Sequence, residues 1–279
     1  MDGYEIKRWR RHGHDRLYVN RTADGRSVGW HDLVTGRTVV LDEGCREAIT
    51  VLVTSHGAAG AARETPPPPT VPPVAPGADL AANRPGDALR RHLRTVEPNA
   101  LKRLLAHRLP AGMTAARPWA VGLRGEVVTG RRLDRLARQG WRVLHSIELP
   151  GGIDIDHLVI GPSGVFTINT KHHRGAALWQ GDRAITVNRA PTRYVPISES
   201  EAAKAAHRLS AHCGFPVTVR PVVAVVGADS IVVSNALPTV LLVDADQLSR
   251  TLSDLSPTLP AARVEQIYSI ARRPTTWTA

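Results

Sequence analysis

Two acids, an amide and an amine that together could hold a hard cation lie within two short β-rich runs. These runs, Asp154 to Ile160 and Val165 to Lys171, flank Gly161-Pro162-Ser163-Gly164, whose composition is typical of a turn between antiparallel strands. Because side chains alternate along a strand, we expect one face to carry Asp154, Asp156, Leu158 and Ile160. The next strand should place Val165, Thr167, Asn169 and Lys171 on one face. Polar groups among Ile, Val and Phe need partners, so this hairpin indicates a functional site.

A predicted helix, Arg124 to Gln139, adds a third acid, because Glu126 falls on the same stripe as Leu133 and Ala137. A hard cation such as Mg²⁺ or Mn²⁺ prefers oxygen ligands, and the set predicted here is Asp156, the Asn169 side-chain carbonyl, the Thr170 backbone carbonyl and Glu126. Lys171 could orient a water molecule or stabilise charge on phosphoryl oxygens. These residues predict metal-assisted hydrolysis of a phosphodiester, with catalytic candidates Glu126, Asp156, Asn169 and Lys171.

Several stretches of this region resemble the nuclease-related domain (NERD) family, a branch of the PD-(D/E)XK nuclease superfamily. They are Arg124-Gly125-Glu126, Ile153-Asp154-Ile155-Asp156-His157-Leu158-Val159, Gly161-Pro162-Ser163-Gly164-Val165-Phe166 and Lys171. The resemblance is close through Lys171 and looser to about residue 250. It implies a restriction-endonuclease-like core and Mg²⁺-dependent cleavage, usually of DNA. On this analogy Glu126 matches the helix acid, Asp156 the motif aspartate and Lys171 the motif lysine.

Asn169 departs from the family pattern, because its position is normally Glu or Asp. The amide keeps an oxygen ligand but removes one negative charge, which should weaken cation binding. The alternative function is therefore a nucleic-acid-binding or scaffold protein that has lost hydrolysis, with Glu126 paired to Lys171 in an inactive core. Where the family often has Gln after the Pro that begins the next helix, this chain offers Glu199.

A zinc site is disfavoured, although His157, His172 and His173 lie close together in the sequence. No HxxxH or paired-Cys spacing supports it, and His157 is expected on the face opposite Asp156. His172, His173 and Arg174 are instead candidate contacts to nucleic acid. Cys45 and Cys213 are the two cysteines and form no paired motif, which fits the reducing cytoplasm.

The charge of the chain favours a polyanionic partner. The formal net charge is +11 over 279 residues, with nucleic acid ahead of an anionic membrane surface as the expected partner. DNA is preferred over RNA on the family resemblance. The sequence has no apolar run of the roughly 20 residues that a spanning helix needs, and we expect no membrane association.

Composition divides the chain into four parts. Residues 1–56 are predicted to form a small β-meander module covered by a helix from Glu43 to Val53. Residues 57–78 are rich in Ala, Gly and Pro and are expected to be a semi-rigid linker, and residues 79–114 a basic helical connector. Residues 115–279 form the predicted nuclease-like domain.

The basic run near the start of the module could bind a nucleic-acid backbone through Lys7, Arg8, Arg10 and Arg11, with Trp9 stacking on a base. The alternative is a solvated charged arm. The module could also recruit a protein partner. Trp119, Trp141 and Trp179 are expected in the core rather than at a stacking platform.

Helices that precede and follow a mixed set of strands predict the fold class of residues 115–279. The strands include an edge hairpin near Gly181-Asp182, a buried run from Val217 to Val226 and a short run from Val240 to Val243. Helices are predicted from Pro196 to Cys213, around 244–252 and around 261–272. This order indicates an α/β fold with a restriction-endonuclease-like α/β/α core.

Overall fold

A computed structural model describes residues 3–11, 14–33, 36–61, 78–109, 113–151, 153–234 and 238–278. The chain divides into two compact units, Met1–Pro69 and Thr70–Ala279. None of the helices described is long and apolar enough to cross a membrane.

The first unit is an antiparallel meander with a covering helix. Its four strands follow each other in the order β1 (Tyr4–Arg11), β2 (His14–Arg21), β3 (Ser27–Asp32) and β4 (Thr38–Val40), and helix α1 spans Arg46–Ala61. Ile49 of α1 packs with Val19 and Val28 of the sheet, as the apolar face of the meander requires.

Two local predictions for this unit were wrong. The basic run is not an arm but strand β1, which pairs along its whole length with β2. Helix α1 continues to Ala61, so the expected linker 57–78 begins inside a helix, whose Ala-rich end favours that state. Residues 62–77 of that linker lie outside the described residues.

The second unit contains two sheets and most of the helices. Its helices are α2 (Asp87–Val96), α3 (Ala100–Leu105), α4 (Arg117–Leu133), α5 (Tyr194–Cys213), α6 (Leu248–Ser253), α7 (Ala261–Ala271) and α8 (Thr275–Thr278). Its strands are β5 (Arg142–Leu149), β6 (Ile153–Gly161), β7 (Gly164–His172), β8 (Ala177–Gln180), β9 (Ile185–Val187), β10 (Ala190–Pro191), β11 (Val219–Val226), β12 (Ser230–Val233) and β13 (Leu241–Asp244).

The central sheet is mixed and covered on both faces. Its order is β13-β11-β7-β6-β5, with β11 parallel to β7 and β13 and with β6 antiparallel to both neighbours. One face packs on α5 and α7 through residues such as Leu158 and Ile267, and the other on α4 and α6 through residues such as Phe166 and Leu248. The predicted α/β/α core is therefore confirmed.

The smaller sheet shares an apolar cluster with β11 and β13 of the central sheet. Its order is β10-β9-β8-β12, so the predicted hairpin β8–β9 is joined by β12, which the sequence did not indicate. Trp179 of β8 and Trp119 of α4 are 45% and 41% exposed, whereas Trp141 is buried, so the core assignment was wrong for the first two. Trp119 contacts the ring of His92, with 4.1 Å between the ring centroids.

Helices α2 and α3 do not form a separate connector. Both belong to the second unit, where α2 packs against α4 and β5. Leu93 and Ala120 share a small apolar cluster, and Gly130 allows close approach because a Cβ there would overlap Pro85. The amphipathic pattern of α2 thus serves packing on its apolar face.

Candidate active site

Asp156 lies at an irregularity that two neighbouring strands share. The β5–β6 ladder pairs His145 with His157 and Ile147 with Ile155, but does not pair Ser146 with Asp156. Ser146 has φ +51°, which is unusual for a residue other than glycine. The irregularity turns the Asp156 carboxylate toward β7, where its Oδ2 accepts a hydrogen bond of 2.6 Å from the backbone N–H of Thr170.

The expected sharing of one face by Asp154, Asp156, Leu158 and Ile160 was wrong. Ile155 and Leu158 pack in the same apolar cluster although they are three residues apart, which strict alternation forbids. Asp154, next to Ile155, therefore cannot share the face of Leu158. Its carboxyl instead has a raised pKa because of burial and of its proximity to Glu148.

Helix α4 brings Glu126 to the same place. Gly125 lies against β7, where a Cβ would be 3.2 Å from Cγ2 of Thr170. Glu126 is 7% exposed, and burial, followed by the charges of Asp156 and Asp154, raises the pKa of its carboxyl to about 9. A carboxyl with this pKa holds its proton at neutral pH when no cation is bound.

Lys171 supplies positive charge to this group of acids without pairing directly with one of them. It lowers the pKa values of Glu126, Asp156 and Glu201. Within the described residues it forms no ion pair, so the expected alternative of a Glu126–Lys171 salt bridge is not seen. The Nζ lies 5.5 Å from the ring centroid of Tyr194, whose hydroxyl is 2.7 Å from Nε2 of His173.

Asn169 is held by an acid that the sequence analysis missed. Its side-chain nitrogen lies 3.0 Å from each carboxylate oxygen of Glu201 on α5 and donates to them. Its Oδ1 is buried and has no hydrogen-bond partner among the residues that the structure describes. Glu199 is the residue that the sequence analysis placed where the family often has Gln. It instead accepts a hydrogen bond of 2.6 Å from the Thr239 hydroxyl.

The signal for Glu201 was present in the sequence. On α5 it falls among the buried positions Ser198, Ala202 and Ala205, at the same helical spacing that singled out Glu126 on α4. Burial raises the pKa of Glu201 to about 7, against the opposing effect of the Asn169 hydrogen bond. Burial likewise raises the pKa of Asp156 to about 6, with Lys171 opposing it.

These donors suit a hard cation in their chemistry. The site offers oxygen atoms of three kinds to a cation. They are the amide oxygen of Asn169, which has no partner in the described chain, the carboxylate of Asp156 and the buried carboxyl of Glu126, whose pKa is raised. Among the described residues, however, no three His, Cys, Asp or Glu side chains converge as a ligand group. A cation here would therefore depend on the amide and on backbone oxygen as well as on carboxylates.

Two buried histidines, His145 of β5 and His157 of β6, are linked by hydrogen bonds to each other and to Asp134 and Thr170. Nδ1 of His145 is 2.8 Å from Nδ1 of His157, and Nε2 of His145 is 3.0 Å from Asp134 Oδ1. Burial lowers the pKa of both rings, so both are neutral. His145 then donates to the Asp134 carboxylate and accepts from His157, which leaves Nε2 of His157 to accept from the Thr170 hydroxyl at 3.4 Å. His157 is thus a structural partner of Thr170.

Two of the basic residues predicted to contact nucleic acid in the first unit are paired with acids. Arg8 is paired with Asp15 at 2.6 Å and Lys7 with Glu5 at 3.4 Å, both at the surface. The side chains of Arg10 and Arg11 lie outside the described residues, and a protein partner for this module stays a prediction.

The basic residues that follow Lys171 differ in their exposure. Arg174 is exposed, whereas His172 and His173 are partly buried. Burial lowers the pKa of both histidines, so they are not cationic at neutral pH. A role for all three in nucleic-acid contact stays a prediction.

Comparison with known proteins adds one finding to this geometry. Residues 121–226, which include all four predicted catalytic residues and Glu201, match the model of the nuclease-related domain family. Searches of curated proteins and of solved structures gave no match. The second unit of this chain therefore includes a segment, residues 121–226, that is similar to nuclease-related domains.

Proposed function

We propose that this domain hydrolyses phosphodiester bonds in nucleic acid, with DNA as the substrate and Mg²⁺ or Mn²⁺ as the cofactor. The observation that carries the proposal is the group of buried acids around Lys171, in which the pKa of Glu126 reaches about 9. Strongly shifted acids beside an ammonium that pairs with none of the described acids are typical of functional sites. Such acids cost stability when they ionise in a buried site, so their retention supports a functional role.

Each side chain has a definite task in this proposal. Lys171 lies near the acids and forms no ion pair with the described residues, so its ammonium can orient a water molecule or stabilise charge on the phosphoryl oxygens. The backbone N–H of Thr170 fixes one oxygen of Asp156. Glu201 fixes the amide of Asn169 so that Oδ1 stays free.

The cation would be held by Asp156, Asn169 Oδ1 and the Thr170 carbonyl, with Glu126 as a further ligand once it loses its proton. When bound, it would supply Lewis-acid polarisation of the phosphate and a water of lowered pKa. Glu201 provides the negative charge that Asn169 lacks relative to an acidic residue. The cytoplasm is the proposed compartment, since Cys45 and Cys213 are both unpaired thiols.

One observation favours a second function. Asn169 occupies the strand position where an acid would give the strongest cation binding, and its nitrogen is already engaged by Glu201. A domain with so few charged ligands could bind nucleic acid without cleaving it. The net charge of +11 supports binding in either case.

Cleavage assays on the purified full chain separate the two functions. Supercoiled plasmid and a labelled single strand are incubated over a titration of Mg²⁺ and of Mn²⁺, with wild type, Lys171→Ala and Arg183→Ala. Arg183 is an exposed control of equal charge in the turn between β8 and β9, with no hydrogen bond or ion pair in the described chain. We expect cation-dependent cleavage that falls about 100-fold or more in Lys171→Ala only. Binding without cleavage at every cation concentration would favour the second function.

A further inference from the structure

A cavity of about 620 Å³ lies between helices α2, α3 and α4. Its size is within the range of roughly 300–1,000 Å³ that is usual for ligand pockets. The floor is apolar and includes Leu93, Ala120, Leu123 and Val127. Most of its lining precedes residue 121, so the cavity is largely a feature of the helices outside the family match. We refer to it as the arginine pocket because of its rim.

The rim of the arginine pocket carries five arginines: Arg90, Arg94, Arg103, Arg124 and Arg131. Arg90 and Arg103 donate to backbone carbonyls, of Pro85 at 2.6 Å and of Glu97 at 2.7 Å. The other three are exposed and form no hydrogen bond or ion pair with the described part of the chain. Among the described residues that line the pocket, none is acidic. Three guanidinium groups without a partner in the described chain therefore surround an apolar floor, an arrangement that suits an anionic ligand with an apolar or aromatic part.

The arginine pocket and the candidate active site share helix α4. Arg124 and Arg131 are seven residues apart, two helical turns or about 10 Å along one side, and Glu126 lies between them in the sequence. Arg90 lowers the pKa of Glu126, and Arg124 lowers that of His172, so the rim acts electrostatically on groups of the site. A polyanion that leaves the site along α4 would meet this rim.

We infer that the arginine pocket binds a single-stranded segment of the nucleic-acid substrate, with an unstacked base on its floor and the flanking phosphates on Arg94, Arg124 and Arg131. A duplex can present phosphates to the rim but not a base to the floor, because its bases are stacked and paired. A base–apolar contact with arginine–phosphate pairing is the general chemistry of single-strand binding. This inference rests on the proposed function for its substrate class, and it makes a single strand the preferred form.

Binding assays without cleavage test the inference. Fluorescence anisotropy is measured in EDTA with the Lys171→Ala chain, which keeps the substrate intact. The probes are a 12-nucleotide single strand, the blunt duplex of the same sequence and an abasic strand of the same length. The test variant is Arg94→Glu with Arg131→Glu, and the control is Arg138→Glu with Arg183→Glu, which changes the net charge equally at exposed sites without described partners.

We expect the test variant to bind the single strand at least about tenfold more weakly than the control variant, with a smaller difference for the duplex. With the Lys171→Ala chain that keeps all of its arginines, the abasic strand should bind about tenfold more weakly than the normal strand. One stacked base contributes an affinity of about this size. Arg94→Gln with Arg131→Gln repeats the comparison without charge reversal, and thermal unfolding by circular dichroism checks the fold of each variant.

The inference would be overturned by equal losses in test and control variants, by equal losses for duplex and single strand, or by equal binding of abasic and normal strands. Capture of phosphatidylserine vesicles through these arginines with unchanged single-strand binding would also overturn it, in favour of a lipid surface. None of these results depends on hydrolysis. The pocket can therefore fail while cation-dependent cleavage stands, and the reverse.

Discussion

The raised pKa of Glu126 makes a quantitative prediction about stability. The pKa is 4.5 in an unfolded chain and about 9 in the folded protein, mainly because the carboxyl is buried. Below pH 4.5 both states are protonated and nothing is lost. As the pH rises from 4.5 toward 9, the unfolded chain releases a proton that the folded one keeps, so stability falls.

The size of this loss follows from the constant of about 1.4 kcal/mol per pH unit. At pH 7.5 the loss reaches at most about 4 kcal/mol, a large share of the stability of an ordinary domain. Glu126→Gln keeps the shape of the side chain and cannot ionise. We therefore expect Glu126→Gln to stabilise the cation-free protein at pH 7.5 by up to about 4 kcal/mol, with little effect at pH 4.5.

Urea unfolding in EDTA at the two pH values measures this difference, with Trp fluorescence as the readout. Glu265→Gln serves as the control, because Glu265 is an exposed acid on α7 whose ion pair with Arg142 should contribute at most about 1 kcal/mol. A Glu126→Gln variant no more stable than the control at pH 7.5 would refute the assignment of a buried, proton-holding acid.

Three further predictions concern neighbouring positions. Asn169→Asp should tighten Mg²⁺ binding in calorimetry, because it adds a charged ligand. It should also lower the stability of the cation-free protein, because the new carboxylate faces Glu201. An unchanged affinity for Mg²⁺ would contradict the assignment of residue 169 as a ligand. His157 is buried and neutral, and burial lowers its pKa well below the usual 6.5. Its contribution to the stability of the folded protein is therefore complete above pH 6.5 and is lost as the pH falls below 6.5, where the unfolded chain takes up a proton that the folded chain does not. His157→Gln should therefore lose less stability than wild type between pH 7.5 and 5.5 in urea titrations, and an equal loss would count against this reading. Gly161→Ala should destabilise by about 1–3 kcal/mol in thermal unfolding, since the new Cβ would overlap the buried Trp141 ring, whereas a neutral effect would show that the ring can move.

Local signals in the sequence were sufficient for the framework of the site. The Gly161–Gly164 turn and the β-rich runs beside it predicted the hairpin β6–β7, and the apolar stripe of α4 predicted that Glu126 faces the core. These features depend on residues close in sequence, where strand and helix periodicity is informative. Glu201 could have been found by the same rule, applied to α5.

Other features depend on contacts between distant segments. The irregularity at Asp156 involves Ser146 on a neighbouring strand, so alternation within β6 alone could not reveal it. The arginine pocket exists because α2 and the turn at residues 106–108 pack on α4, where Gly130 admits Pro85. A basic amphipathic helix is compatible with a solvated face as well as with a binding site, and only the packing decides between them.

Single-turnover cleavage with enzyme in excess over a labelled DNA strand tests the central claim most directly. The predicted result is a first-order cleavage rate that requires Mg²⁺ or Mn²⁺ and falls about 100-fold or more in Lys171→Ala, with binding of the strand retained. A rate that is independent of added cation, or equal in wild type and Lys171→Ala, would contradict the account.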